Sequence, residues 1–226
     1  MNGGICLNRN TITNRIRDVS ENISRLTQNL QTMNSLDIQH YADHYEAVST
    51  EAALQAEKIA CQLRSLLYAS TGISKAEYLT KASETHGIEI QNDNGILTIT
   101  LPRLLHKKKS KQSNLFLLDP LGAALEKYTT EHTFQRFREC VVCISHVYEH
   151  ELTDWRLPDY DNLQQKQLID MIALYVMTDD SSQLCDTYNT TERGEKDCTK
   201  VYIMEKKQLS DWLIQRENAC KTISDF

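Results

Sequence analysis

The chain has 226 residues, 40% hydrophobic and 25% charged, which is enough for one large domain or two small units of ordinary soluble composition. Only seven glycines and three prolines argue against a turn-rich β-sandwich and for long helices with a modest sheet. The formal net charge of -6 works against general affinity for nucleic acid, so any contact with DNA needs a local basic patch. Seven cysteines at irregular spacings, with no apolar signal segment at the start, fit reduced thiols in a cytoplasm. No window approaches the run of about 18 apolar residues that a membrane span requires.

From Ile12 the apolar positions Ile12, Ile16, Val19, Ile23, Leu26, Leu30 and Met33 alternate four and three apart, which predicts a helix with a three-heptad seam. After a break at Asn34 and Ser35, a second stripe runs from Ile38 through Tyr45, Ala52 and Ile59 to Leu66, and Thr71 and Gly72 end it. The short break predicts an antiparallel helical hairpin. A shorter helix is expected over 74–85, where Ser74 and Glu77 form a capping box. The period then changes to two. Residues 87–91 and 95–101 read as strands joined by the Asn92-Asp93-Asn94-Gly95 turn, and Pro102 stops the second.

His106-Lys107-Lys108-Lys109-Ser110-Lys111 is the dense basic run of the chain, to be read as a solvated loop or as a nucleic-acid contact. A third short strand is expected at 115–118, followed by a helix over 121–138 that Asp119 caps and Pro120 opens. Residues 141–148 are the most strand-like segment. Within and after them Cys140, Cys143, His146 and His150 spell C-x2-C-x2-H-x3-H, a zinc-like spacing. In a strand, however, Cys140 and Cys143 face opposite ways, which favours ordinary core thiols.

Residues 155–183 follow. They open with Asp159 and Asp161, pass through an amphipathic helix carrying Lys166 and Asp170 as an i,i+4 pair, and close on Asp179 and Asp180. Helix capping by Asp161 and a turn at Asp179-Asp180 account for part of this pattern. They do not account for Asp159, which in extended geometry points to the same side as Asp161. Clustered carboxylates raise each other's pKa unless a cation neutralises them, so a metal site is the sharper expectation.

The pattern D-Y-D-N-L-Q, a helix of about sixteen residues, then D-D-S-S-Q, resembles the signature of the RusA family of Holliday junction resolvases. The resemblance covers about residues 95–208. It includes the Ile99-Thr100-Leu101-Pro102 strand end, the basic loop, a strand, a helix, and a central strand entering the aspartate motif. A final hairpin, with strands at 184–188 and 199–205, is implied after the acidic pair. Members of that family are small dimeric, magnesium-dependent endonucleases that cut four-way DNA junctions and are frequent on phages and other mobile elements. The resemblance implies that Asp159, Asp161 and Asp180 are catalytic carboxylates holding Mg²⁺ (or Mn²⁺). It also implies that Lys166 supplies positive charge at the phosphate and that Lys107, Lys108, Lys109 and Lys111 contact the DNA backbone. Gln165 stands where the family places a lysine, with Lys166 one residue on.

A sixteen-residue helix is roughly 24 Å long, so Asp180 meets Asp161 only if the helix ends early or a two-fold partner supplies one acidic end. The expected architecture is α+β: a helical hairpin over 1–86, a RusA-like domain over 87–208 with a small mixed sheet packed by helices, and a C-terminal helix or tail over 209–226. The expected function is metal-dependent cleavage of branched DNA by a cytoplasmic homodimer with no membrane contact. The alternative is a catalytically inactive RusA-like module that binds DNA or, through the N-terminal helices, a protein partner.

Overall fold

A computed structural model describes residues 8–102, 105, 115–150 and 165–224 of the protein. The chain is α+β and divides into two units between Lys75 and Ala76. Among the described residues, no helix is long and apolar enough to cross a membrane.

The first unit pairs α1 (Arg9–Ser35) with α2 (Ala42–Ser70) as an antiparallel hairpin within one chain. Asn8 starts α1, its side chain accepting a hydrogen bond from the Asn10 amide at 3.2 Å. The seam differs from the one the apolar spacing predicts. Val19 and Asn22 are buried on α1 and Ala52 and Ile59 on α2, while Ile16, Ile23 and Leu30 stay 49%, 46% and 50% exposed. One partner helix covers a narrow stripe, and the stripe chosen here is centred on a polar layer rather than on every apolar row. In that layer Asn22 donates to Gln62 Oε1 at 2.9 Å and accepts from Gln55 Nε2 at 2.9 Å. A buried asparagine bonded across two helices fixes their register.

The second unit runs α3 (Lys75–His86), β1 (Glu89–Asp93), β2 (Ile96–Leu101), α4 (Leu115–Glu131), β3 (Cys140–Glu149), α5 (Gln165–Val176), β4 (Cys185–Gly194), β5 (Cys198–Glu205), a 3-10 turn (Lys206–Gln208) and α6 (Leu209–Ser224). The strands form one mixed sheet in the order β1-β2-β5-β3-β4. Asn94 and Gly95 take positive φ angles of 54° and 80°, which is what a tight β1-β2 turn demands of an Asn-Gly pair.

Two elements depart from the sequence expectation. The strand anticipated at 115–118 is the first turn of α4, and that helix ends at Glu131 rather than near Arg138. Leu117, Leu118, Leu121 and Leu125 all reach the main core, a spacing that only a helix satisfies; their burial outweighs the backbone bond lost at Pro120. The expected hairpin after the acidic pair is absent as a pair of bonded strands. β4 runs parallel to β3 through the α5 crossover, and β5 returns antiparallel on the other side of β3. Residues 195–197 cross the end of β3 on the way, where Asp197 Oδ1 accepts from the Glu149 amide at 2.9 Å. Three residues extend across the roughly 10 Å between second-neighbour strands without strain.

Strand alternation gives the sheet two different faces. Leu97, Ile99, Leu101, Cys140, Val142, Ile144, Val201 and Ile203 lie in the larger core with α4 and α5. Gly122 lets those two helices approach closely, since a Cβ there would stand 3.1 Å from Met171 Sδ. Val141, Cys143 and Met204 form a smaller core with Trp212 of α6 on the other face.

Candidate functional site

Strands β2, β3 and β4 point the same way, because β5 is antiparallel to both β2 and β3 and β4 is parallel to β3. Leu101, Thr199, His146 and Thr191 therefore form one row across the sheet near the C-terminal ends of the three parallel strands. That end organises the candidate site. Segment 103–114, which carries the lysines, leaves from β2, and segment 151–164, which carries the first aspartates, leaves from β3 two strand spacings away, about 10 Å. α5 also begins at this end, since Gln165 reaches His146. In mixed and parallel sheets this is the end at which ligands are commonly bound.

The described part of the site is a buried polar cluster. His146 is fully buried, and its Nε2 lies 3.3 Å from the Gln165 side-chain nitrogen, which also donates to Asn189 Oδ1 at 2.8 Å. Burial pushes the His146 pKa down to about 4, so the imidazole is neutral at pH 7. With the Gln165 amide donating, Nε2 is the acceptor and the proton resides on Nδ1. Thr199 presents a fully buried hydroxyl beside it, with no hydrogen-bond partner among the described residues.

Lys166 is 86% exposed and its Nζ lies 3.1 Å from Asp170, so it occupies the solvent face one helical step from Gln165. Asp179 and Asp180 are exposed beyond the far end of α5. There the chain is pinned to the start of β3: Phe137 N donates to Val176 O at 2.9 Å and Thr178 N to Phe137 O at 2.8 Å. The twelve residues of α5 span roughly 18 Å, so within one chain Asp180 stands at the opposite end of the sheet from Gln165. Asp159, Asp161, Lys107, Lys108, Lys109 and Lys111 lie outside the described residues. Among the described residues no group of three or more His, Cys, Asp or Glu converges as a metal site.

The zinc-like spacing resolves as strand geometry suggests. Cys140 enters the α4/α5 core and Cys143 the α6 core. Burial pushes the Cys143 thiol up to about 12. Cys140 instead faces Cys185, its register partner on β4; the hydrogen bond between the two thiols, together with burial, raises Cys140, and the same hydrogen bond lowers Cys185 against the effect of burial.

A second polar cluster was missed in the sequence, where 209–226 gives no more than a helix or tail. Arg216 Nε lies 3.1 Å from Glu192 Oε1, which accepts from Ser145 Oγ at 2.7 Å, and Arg216 Nη2 donates to Thr191 O at 3.0 Å. The guanidinium also sits 5.5 Å from the Trp212 ring centre, itself packed on Tyr202. Trp212 and Arg216 at i,i+4 were the available signal.

These features describe a two-unit α+β protein with a helical hairpin and a mixed-sheet unit whose charged segments leave one sheet end. The chain belongs to DUF6100, a family of unknown function, whose profile matches residues 8–226. No curated protein matches the sequence. Among solved structures, the crystal structure of the periplasmic domain of Helicobacter pylori MotB is similar at 9% identity and a TM-score of 0.33, over 59% of this chain and 89% of that one. At that score the similarity carries no argument about fold or function.

Proposed function

We propose that the sheet unit is a RusA-like, Mg²⁺- or Mn²⁺-dependent endonuclease that nicks branched DNA, its site lying at the sheet end from which 103–114 and 151–164 depart. The observation that carries this reading is the parallel course of β2 and β3 with β5 between them. The lysine segment and the aspartate segment thus depart from the sheet about two strand spacings apart, a spacing from which the chain's local positive charge would meet its carboxylates despite a net charge of -6. Asp159 and Asp161 are hard oxygen donors suited to either cation, which when bound would supply an activated water and charge stabilisation for phosphodiester hydrolysis.

The chain's own residues would do the rest. Lys107, Lys108, Lys109 and Lys111 would hold the phosphate backbone, and Lys166, released from Asp170, would meet the scissile phosphate. Asp180 would join from the second subunit of a homodimer, since α5 separates it from Gln165 within one chain. The exposed row Ile16, Ile23 and Leu30 offers the N-terminal hairpin a place for a protein partner. A cytoplasmic setting is consistent with free thiols at Cys61, Cys140, Cys143, Cys185 and Cys198.

The test is incubation of the full chain with Mg²⁺ and a synthetic four-way junction. Nicking is expected, with Asp161→Asn abolishing it while junction binding persists. A folded protein that leaves the junction intact in both Mg²⁺ and Mn²⁺ overturns the enzyme reading.

A second reading, an inactive RusA-like module, draws on one observation. Gln165, at the position where the resemblance calls for lysine, is engaged with His146 and Asn189, and Lys166 is paired to Asp170. Calorimetric titration with Mn²⁺ separates the two. The inactive module gives no heat that depends on Asp159 and Asp161.

A further inference from the structure

A cleft of about 620 Å³ opens at the opposite end of the same sheet unit, within the size range of small-ligand sites. One wall is the irregular stretch 133–139 between α4 and β3. The other is the β1-β2 turn together with the 3-10 turn before α6.

The second wall is held firmly. Gln208 Oε1 accepts from the Glu205 amide at 3.1 Å, and its Nε2 donates to Asn94 O at 3.0 Å, tying the two turns to each other. The Lys206 amide donates to Glu139 O at 3.2 Å, joining that wall to the first. The site is therefore shaped before any ligand arrives.

Its charge is unusual for this chain. Arg136, Arg138, Lys206 and Lys207 line the cleft against Glu139 and Glu205. Lys206 is committed to Asp186 at 2.8 Å, and Lys207 to Glu205. Arg136 and Arg138 are exposed and make no hydrogen bond or ion pair with any described residue. Two uncommitted guanidiniums beside a prearranged cleft are suited to bidentate capture of phosphate oxygens. Phe134, half-buried in the same wall and braced edge-on by Phe137 at 5.7 Å, adds an aromatic surface against which a base can lie.

We propose that this cleft binds a phosphorylated nucleotide unit, with Arg136 and Arg138 on the phosphates and Phe134 against the base. It lies at the sheet end where β3 begins, the end that also carries Asp180, whereas 103–114 and 151–164 leave from the end where β3 finishes. The unit comes from one of two sources with the same chemistry, a free nucleoside polyphosphate or a single strand of nucleic acid.

The experiment titrates the full chain, at low salt and with chelator to silence any divalent site, against two probes. These are a fluorescently labelled nucleoside triphosphate and a labelled six-nucleotide single strand. Saturable binding of at least one is expected, weakened tenfold or more by the double variant Arg136→Ser/Arg138→Ser. Lys81→Ser, a surface cation change on α3, should leave it unchanged. Triphosphate binding that Phe134→Leu also weakens identifies the free nucleotide, and binding of the strand alone identifies nucleic acid. No binding of either probe overturns the proposal. So does binding indifferent to the two arginines, or binding lost equally in the Lys81 variant, with native circular dichroism confirming the fold in each case.

Discussion

Ser145 and His146 are adjacent on β3, yet each begins a buried polar cluster of opposite character on opposite faces of the sheet. Ser145 joins the Glu192-Arg216 ion pair, a charged network that fastens α6 to the smaller core. His146 joins Gln165 and Asn189, a neutral network that fastens the start of α5 to the larger core. The charged cluster keeps side-chain exposures of 17% and 20%, so water offsets part of its desolvation. The neutral cluster has no such contact at His146, and burial instead removes the charge from the imidazole. One strand thus uses two solutions to the same difficulty of placing polar groups inside.

The largest effect expected from this difference is at Arg216. Arg216→Ala leaves Glu192 partly buried without its cation and strips the cover from Trp212, so urea denaturation should show a loss of about 3 kcal/mol. A loss below about 1 kcal/mol would mean the charged network is ornamental, in line with ordinary surface pairs.

The neutral cluster should respond to pH through His146. His146 takes up a proton near 6.5 when unfolded and near 4 when folded, so the unfolded chain binds more protons between those values. Its contribution is complete above pH 6.5 and is lost as pH falls toward 4. By pH 5 the cost is about 2 kcal/mol, read as a drop in the urea midpoint from its pH 7 value. His146→Asn should flatten that dependence. An unchanged slope in the variant would place the pH sensitivity elsewhere.

Gln165→Ala removes two hydrogen bonds from the same cluster and should cost about 1 to 2 kcal/mol. Smaller still, Asn22→Ala in the helical hairpin unpairs Gln55 and Gln62, for about 1 kcal/mol, measured on the thermal transition of that unit.

The sequence carried the α+β class, the helical hairpin and the β1-β2 turn, because heptad spacing and Asn-Gly chemistry are local signals. Strand β3 was also legible as a run of β-branched residues and small thiols. Three features were hidden for tertiary reasons. The leucines at 117, 118, 121 and 125 read as a strand followed by a helix until a core existed to receive them on one face. β4 and β5 are close in sequence and both strand-like, and nothing local says that β3 lies between them. The row Ile16, Ile23 and Leu30 satisfies the heptad as well as the row that is buried, and only the Asn22 layer decides the rotation of the helix.

Of the candidate site, the residue types were legible but their convergence was not. The helix length expected from the motif already set Asp180 apart from the acidic residues before it, and the α5 crossover carries Asp180 to the end of the sheet opposite Gln165. Gln165 looked like a defect at a lysine position, and its side chain proves to be occupied in joining α5 to β3 and β4.

The separation of acidic ends by α5 makes subunit complementation the most direct test of the account. Asp161→Asn and Asp180→Asn proteins, each prepared alone, should fail to nick a four-way junction that the unaltered protein cuts. Mixed and allowed to exchange subunits, they should regain activity, because one of the two sites in a mixed dimer keeps Asp161 from one subunit and Asp180 from the other. A mixture that stays silent while the unaltered protein cuts would contradict the shared site, and an unaltered protein that never cuts would contradict the nuclease itself.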